Sequence, residues 1–132
     1  MVVEEVGAYL VAEGLAILGT DLFLHVLPDK PDEAASLINY LGDEPDYVQD
    51  GRKVDTENPR VQLAVRSMRP EVCRLRAEKM YQSLMQIRNQ VLDGTRYLWL
   101  RPVNSPSMAG RDENGRFLTT VNFRISKELT SV

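Results

Sequence analysis

The chain carries one cysteine and one histidine, which limits the chemistry open to it. His25 stands inside the apolar run TDLFLHVL with no second histidine to partner it. That setting suits a structural or interface ring better than a catalytic base. Cys73 falls on an apolar stripe at helical spacing, where a buried, inert thiol is the expectation. A single cysteine forms no internal disulfide and no cysteine-based metal cluster. Asp112 and Glu113 are adjacent carboxylates in a Gly- and Asn-containing turn, so nothing fixes their separation and a solvated turn is expected. Neither GxxxxGK[ST] nor GxGxxG occurs. With no nucleophile–base pair, the expectation is a protein that is not an enzyme, with no catalytic residues, cofactor or metal.

What the sequence does offer is charge. The net charge is only −3, which argues against general nucleic-acid binding. Residues 1–50 nevertheless hold eleven acids against one base, a net of −10, and residues 51–132 hold fifteen bases against eight acids, a net of +7. Either the halves neutralise one another inside the fold, or the molecule has an acidic and a basic side suited to head-to-tail association with its own copies. On the second reading the basic face is Arg66, Arg69, Arg74 and Arg76, beside Lys79, and the acidic face is Asp43, Glu44 and Asp46. No aromatic residues interleave the basic cluster, so single-stranded nucleic-acid binding is poorly supported.

These residues need elements to hold them. Val3, Val6 and Leu10 predict an N-terminal helix. Thr20–Leu27, closed by Pro28, predicts a strand buried on both faces, and Ala34–Leu41 a second strand. Residues Asp43–Arg60 lack apolar periodicity and read as a long loop, or as a hairpin with its tip near Asp50-Gly51. Val61, Leu63 and Val65 mark a third strand. Pro70 and Glu71 suit the start of a long helix whose stripe runs Cys73, Ala77, Met80, Leu84, Ile87, Val91, with Asp93-Gly94 as its stop. Arg96–Arg101 is a fourth strand, Pro102–Arg116 a second long loop whose Gly110–Gly115 turn fixes a hairpin, and Phe117–Ile125 the last strand. At 132 residues and 43% apolar composition, this is one domain of α+β class. The expectation is a mainly antiparallel sheet of about five strands against an N-terminal helix and one long central helix. No apolar run approaches the roughly 20 residues that span a bilayer, and no cleavable leader is expected behind Glu4 and Glu5.

Three stretches, in order, carry a resemblance. They are GTDLFLHVLPDKPDEAASLINYLG (Gly19–Gly42), VQLAVRS (Val61–Ser67) with the helix after it, and SPSMAGRDENGRFLTTVNFRIS (Ser105–Ser126). This pattern resembles the minor capsid, or tail terminator, proteins of long-tailed bacteriophages, which join head to tail. The shared features sit at Leu27-Pro28, Val61-Gln62 with Val65-Arg66, Gly110 to Arg116, and Asn122-Phe123, with Arg111 as one departure. The resemblance implies a structural virion protein of the neck that forms a homo-oligomeric, hexameric ring. That ring would cap the head-proximal end of the tail tube, stop its growth and dock the head connector or stopper protein. Genome DNA would pass through the lumen without specific binding, and no membrane is involved. The protein would reside in the virion, and in host cytoplasm during assembly. The alternatives are a head-completion or stopper protein of the neck, and a monomeric α+β module for a small ligand.

Overall fold

The computed structural model describes residues 2–47 and 54–128, the side chains of 41–55 excepted. Its elements are α1 (Val2–Ala12), β1 (Leu22–Leu24), β2 (Ala34–Tyr47), β3 (Val54–Ser67), α2 (Pro70–Leu84), β4 (Arg88–Leu92), β5 (Thr95–Pro102), β6 (Ser107–Arg111) and β7 (Phe117–Glu128). Strand order is β1-β2-β3-β7-β5-β4, with β6 beside β7. Only β1 against β2 is parallel, so the sheet is mixed. Strand β7 gives one whole edge to β3 and divides the other, pairing β6 along its first half and β5 along its second.

Alternation builds the centre of this sheet. Val61, Leu63 and Val65 on β3 and Val121, Phe123 and Ile125 on β7 are at most 1% exposed, and Leu63 pairs with Val121 across the ladder. Over that face lies α2, which presents Cys73, Ala77, Met80 and Leu84, all buried. Helix α1 covers the β1–β2 side with Val3, Val6 and Leu10. Gly7 marks the closest approach there: a Cβ would stand 3.1 Å from Leu24 Cδ2.

The fold is therefore mostly β, a curled mixed sheet of seven strands with two short helices. This corrects the α+β expectation of about five strands against one long central helix, and each difference has a local cause. Helix α2 stops at Leu84, because the chain turns through Gln86 N–H to Ser83 O and Ile87 N–H to Leu84 O. Ile87 stays in the core, but Val91 is on β4 and 52% exposed. Asp93 (φ 48°) and Gly94 (φ 85°) are not a helix cap; they form the two-residue turn joining β4 to β5, with Leu92 opposite Thr95. Two successive left-handed residues match the right-handed twist of the flanking strands, which favours Asp-Gly here.

The first expected strand shrinks to Leu22–Leu24 because His25 takes a left-handed φ of 72° and turns the chain out, leaving Val26 exposed. The segment expected as a second loop contains β6. Residues 43–60 are not a loop either. Strands β2 and β3 continue through Asp43↔Asn58, Asp46↔Thr56 and Tyr47↔Val54 as a two-stranded arm, and the expected tip at Asp50-Gly51 lies outside the described residues.

One polar knot ties α1 to the far side of the sheet. The Glu5 carboxylate, 4% exposed, accepts bonds from Thr95 Oγ1 at 2.6 Å and Tyr97 Oη at 2.7 Å. Burial, and then the Glu5 carboxylate, push the Tyr97 phenol far above its ordinary pKa, so it remains a donor. The Lys127 ammonium lies 6.0 Å from the centre of that ring. Removing the donor leaves a buried acceptor half satisfied. Tyr97→Phe should therefore cost about 1–3 kcal/mol in urea-induced unfolding. A change within error would show that Glu5 does not depend on the phenol.

Candidate functional site

The three resembling stretches meet at one place. Arg116, 5% exposed, donates Nε–H to Asp112 Oδ2 at 2.7 Å and Nη2–H to Asp29 Oδ1 at 2.9 Å. Its Nη1 reaches the Asp29 carbonyl and, at 3.4 Å, Asp32 Oδ1. Beside it Arg66, 6% exposed, donates to the carbonyls of Pro31 and Asp32. Two arginines thus hold the turn that follows Leu27-Pro28. Register brings them together, because Arg66 on β3 pairs with Leu118 on β7 and Ser67 with Phe117, the residue after Arg116.

The same turn sets the start of α2. Glu33 accepts from Ser67 Oγ at 2.6 Å and from Met68 N–H at 2.9 Å, and Ser67 Oγ in turn accepts from Arg69 N–H at 3.1 Å. Arg69 itself caps α2 without a side-chain bond, so the Glu33–Ser67 relay orders the approach to Pro70. On the other side Asp112 Oδ1 accepts from the N–H groups of Asn114 and Arg116, closing the β6–β7 turn expected at Gly110–Gly115.

These contacts separate the four candidate arginines. Arg66 is spent inside the fold, and burial followed by the nearby Arg116 cation lowers its pKa from the ordinary arginine value. Arg76 is largely covered and pairs with Asp21 at 3.0 Å. Arg69 is exposed, with a 2.8 Å ion pair to Glu71. Arg74 is exposed and has no ion-pair partner among the described residues. Arg69 and Arg74 flank a groove of about 370 Å³ between α2 and β6, lined by Pro70, Glu71, Arg74, Pro106, Met108 and Thr119. Asp43, Glu44 and Asp46 lie on the β2 half of the arm; their side chains are outside the described residues.

The reactive types sit where they do little chemistry. Cys73 is fully buried, with Sγ 3.1 Å from Val65 O and 3.2 Å from Thr119 Oγ1, and burial raises its pKa. His25 Nε2 lies 3.1 Å from Glu4 Oε1 in an exposed pair. Among the described residues no group of three or more His, Cys, Asp or Glu could hold a metal ion. No helix among them is long and apolar enough to cross a membrane. Sequence reasoning missed Asp29, Asp32, Glu33 and Arg116 as a unit. The available signal was that LPDKPDE and DENGR both carry charges that a plain turn does not need.

The cluster has a pH signature. The backbone N–H of Arg116 holds the Asp112 carboxyl below the ordinary aspartate range, against some opposing burial, with further help from the Arg116 side chain and Asn114 N–H. For Arg116, burial opposes the cation, but Asp112 and Asp29 outweigh it and raise its pKa. A carboxyl with a lowered folded pKa contributes its full stabilisation above the unfolded value, about 3.9. That contribution is lost as pH falls through the lower folded value. Asp112→Asn should therefore lower stability at pH 7 and flatten the acid limb of a Tm-against-pH profile. A variant whose profile runs parallel to the parent's down to pH 2 would remove Asp112 from this account.

No curated protein matches the chain significantly. Among solved structures, a chain of the virion of a native gene transfer agent particle is similar at 16% identity, with a TM-score of 0.65. The match covers 94% of this chain and 92% of that one, and shows a shared fold. The profile of the bacteriophage tail terminator proteins matches residues 9–129, which contain every strand and the whole motif cluster. The chain belongs to the bacteriophage tail terminator protein family, and its role is that of a structural protein of the phage tail.

Proposed function

We propose that this chain is the terminator of a long phage tail: a hexameric ring at the head-proximal end of the tail tube. The ring stops tube polymerisation and offers its other face to the head connector, and the genome passes through its hole. The observation that carries this reading is the family match over residues 9–129. The virion chain with the same fold is consistent with it. The surface chemistry also fits a part that works by docking. The chemistry-bearing side chains are buried or paired, whereas large apolar side chains at Ile17, Leu18 and Val26 are 55–61% exposed. Acidic residues lining the hole would let DNA slide, because they neutralise no phosphates.

The test uses tail tubes assembled without their terminator. Added protein should bind one end only, halt elongation and appear there in negative stain as a ring. Light scattering should give a hexameric mass, against 15.0 kDa for one chain, in solution or on the tube. Tubes that keep growing with no protein at either end would reject the reading. Binding to the portal side of heads instead would move the protein to head completion.

A further inference from the structure

The two-stranded arm and the α2–β6 groove lie at opposite ends of the same strand. Strand β3 begins in the arm at Val54 and ends at Ser67, just before the Arg69–Pro70 start of α2. The groove residue Thr119 pairs with Val65 on β3, and Met108 pairs with Thr119. At the other end β7 stops at Glu128, opposite Thr56, and β1 covers β2 only as far as Leu37. Beyond those rows β2 and β3 have only each other. From the Val65 row to the Thr56 row is about 30 Å at roughly 3.3 Å per residue. The arm points away from its own groove, so only another molecule can bring the two together.

Their charges are opposite. Residues 43–47 and 54–57 hold Asp43, Glu44, Asp46, Asp55 and Glu57 and no base. At the groove, Glu71 offsets one of the two arginines, Arg69 and Arg74, and leaves a positive rim over a floor of Pro70, Pro106 and Met108. Arg111, at the end of β6, stacks its guanidinium 5.1 Å from the Phe117 ring and adds to the positive side. A two-stranded ribbon is marginally stable in water, so a covering surface has something to contribute.

We infer that the acidic β2–β3 arm of one copy seats in the basic α2–β6 groove of the next. The contact is head-to-tail, because the two surfaces differ, and such a contact closes into a ring when its rotation permits. This rests on the tail-terminator reading for its biological setting, and it specifies the subunit contact that reading leaves open. Arg66 and Arg76 take no part, being committed to the turn and to Asp21.

Charge exchange tests it in the full chain. Arg69→Glu with Arg74→Glu should reduce the assembly to 15.0 kDa chains, and so should Asp43→Lys, Glu44→Lys and Asp46→Lys together. All five substitutions in one chain restore opposite charges across the contact, and the parent mass should return. Circular dichroism checks that each variant is folded, and salt should weaken the parent assembly. Masses are read by analytical ultracentrifugation up to millimolar protein, and by cross-linking on tail tubes. A parent that stays monomeric in both settings overturns the inference, as does a folded five-fold variant no heavier than its components. A parent that assembles through this contact but ignores tube ends would instead overturn the function proposed above and leave the contact standing.

Discussion

The fold depends on two guanidinium groups that water barely reaches. Arg66 and Arg116 enter the protein from neighbouring strands, and both are held by the turn that links β1 to β2. Burying a cation is costly unless carboxylates and carbonyls replace the lost water, and here Asp29, Asp32, Asp112 and two or more backbone carbonyls do so. Because the carboxylates remain partly exposed, they keep much of their own hydration. The cost falls mainly on the arginines, and their geometry has to be good. One short acidic turn therefore fixes the sheet edge, the start of α2 and the β6–β7 turn together. That explains why three separated stretches of sequence carry the family pattern: each supplies one side of the same contact.

The parts of this architecture that could be read in the sequence are those with one buried face. Val61, Leu63, Val65, Val121, Phe123 and Ile125 show their period because alternate residues meet different surroundings, and the Cys73–Leu84 stripe shows a helix for the same reason. Past Leu84 the spacing continued through Ile87 to Val91 by coincidence. Ile87 is buried after the helix has ended, and Val91 faces out from β4. The Asp-Gly pair at 93–94 fitted a helix stop and a hairpin turn equally well, and only the strand pairing on both sides decides between them. Strands β4 and β6 were illegible because most of their residues are exposed, so burial imposes no alternation on them. The arm has no third strand beside its outer rows, which removes the usual source of a two-residue pattern.

The charge asymmetry resolves into two populations. Part of it is internal: Asp21 meets Arg76, Asp29 and Asp32 meet Arg116, and these pairs cross from the acidic half of the sequence to the basic half. The sequence could show that such pairing was available, but not which partners would be chosen, because the choice depends on strand register. Of the four arginines grouped by sequence proximity, two turned inward and two outward. A run of like charge therefore says little about an interface until the ladder assigns each residue a side.

The remainder is distributed by topology. A strand as long as β3 carries the acidic arm at its first residues and delivers the chain to Arg69 and Arg74 at its last. Opposite charges held at opposite ends of a stiff element cannot cancel within one molecule, since the sheet that supports them also keeps them apart. They can be satisfied by solvent and counter-ions, or by another copy. Two copies facing the same way round would bring like charges together, so a contact that uses these surfaces must run head to tail. Repeating such a contact yields a directional assembly, and a tail end with a tube on one side and a connector on the other requires a part with two unlike faces.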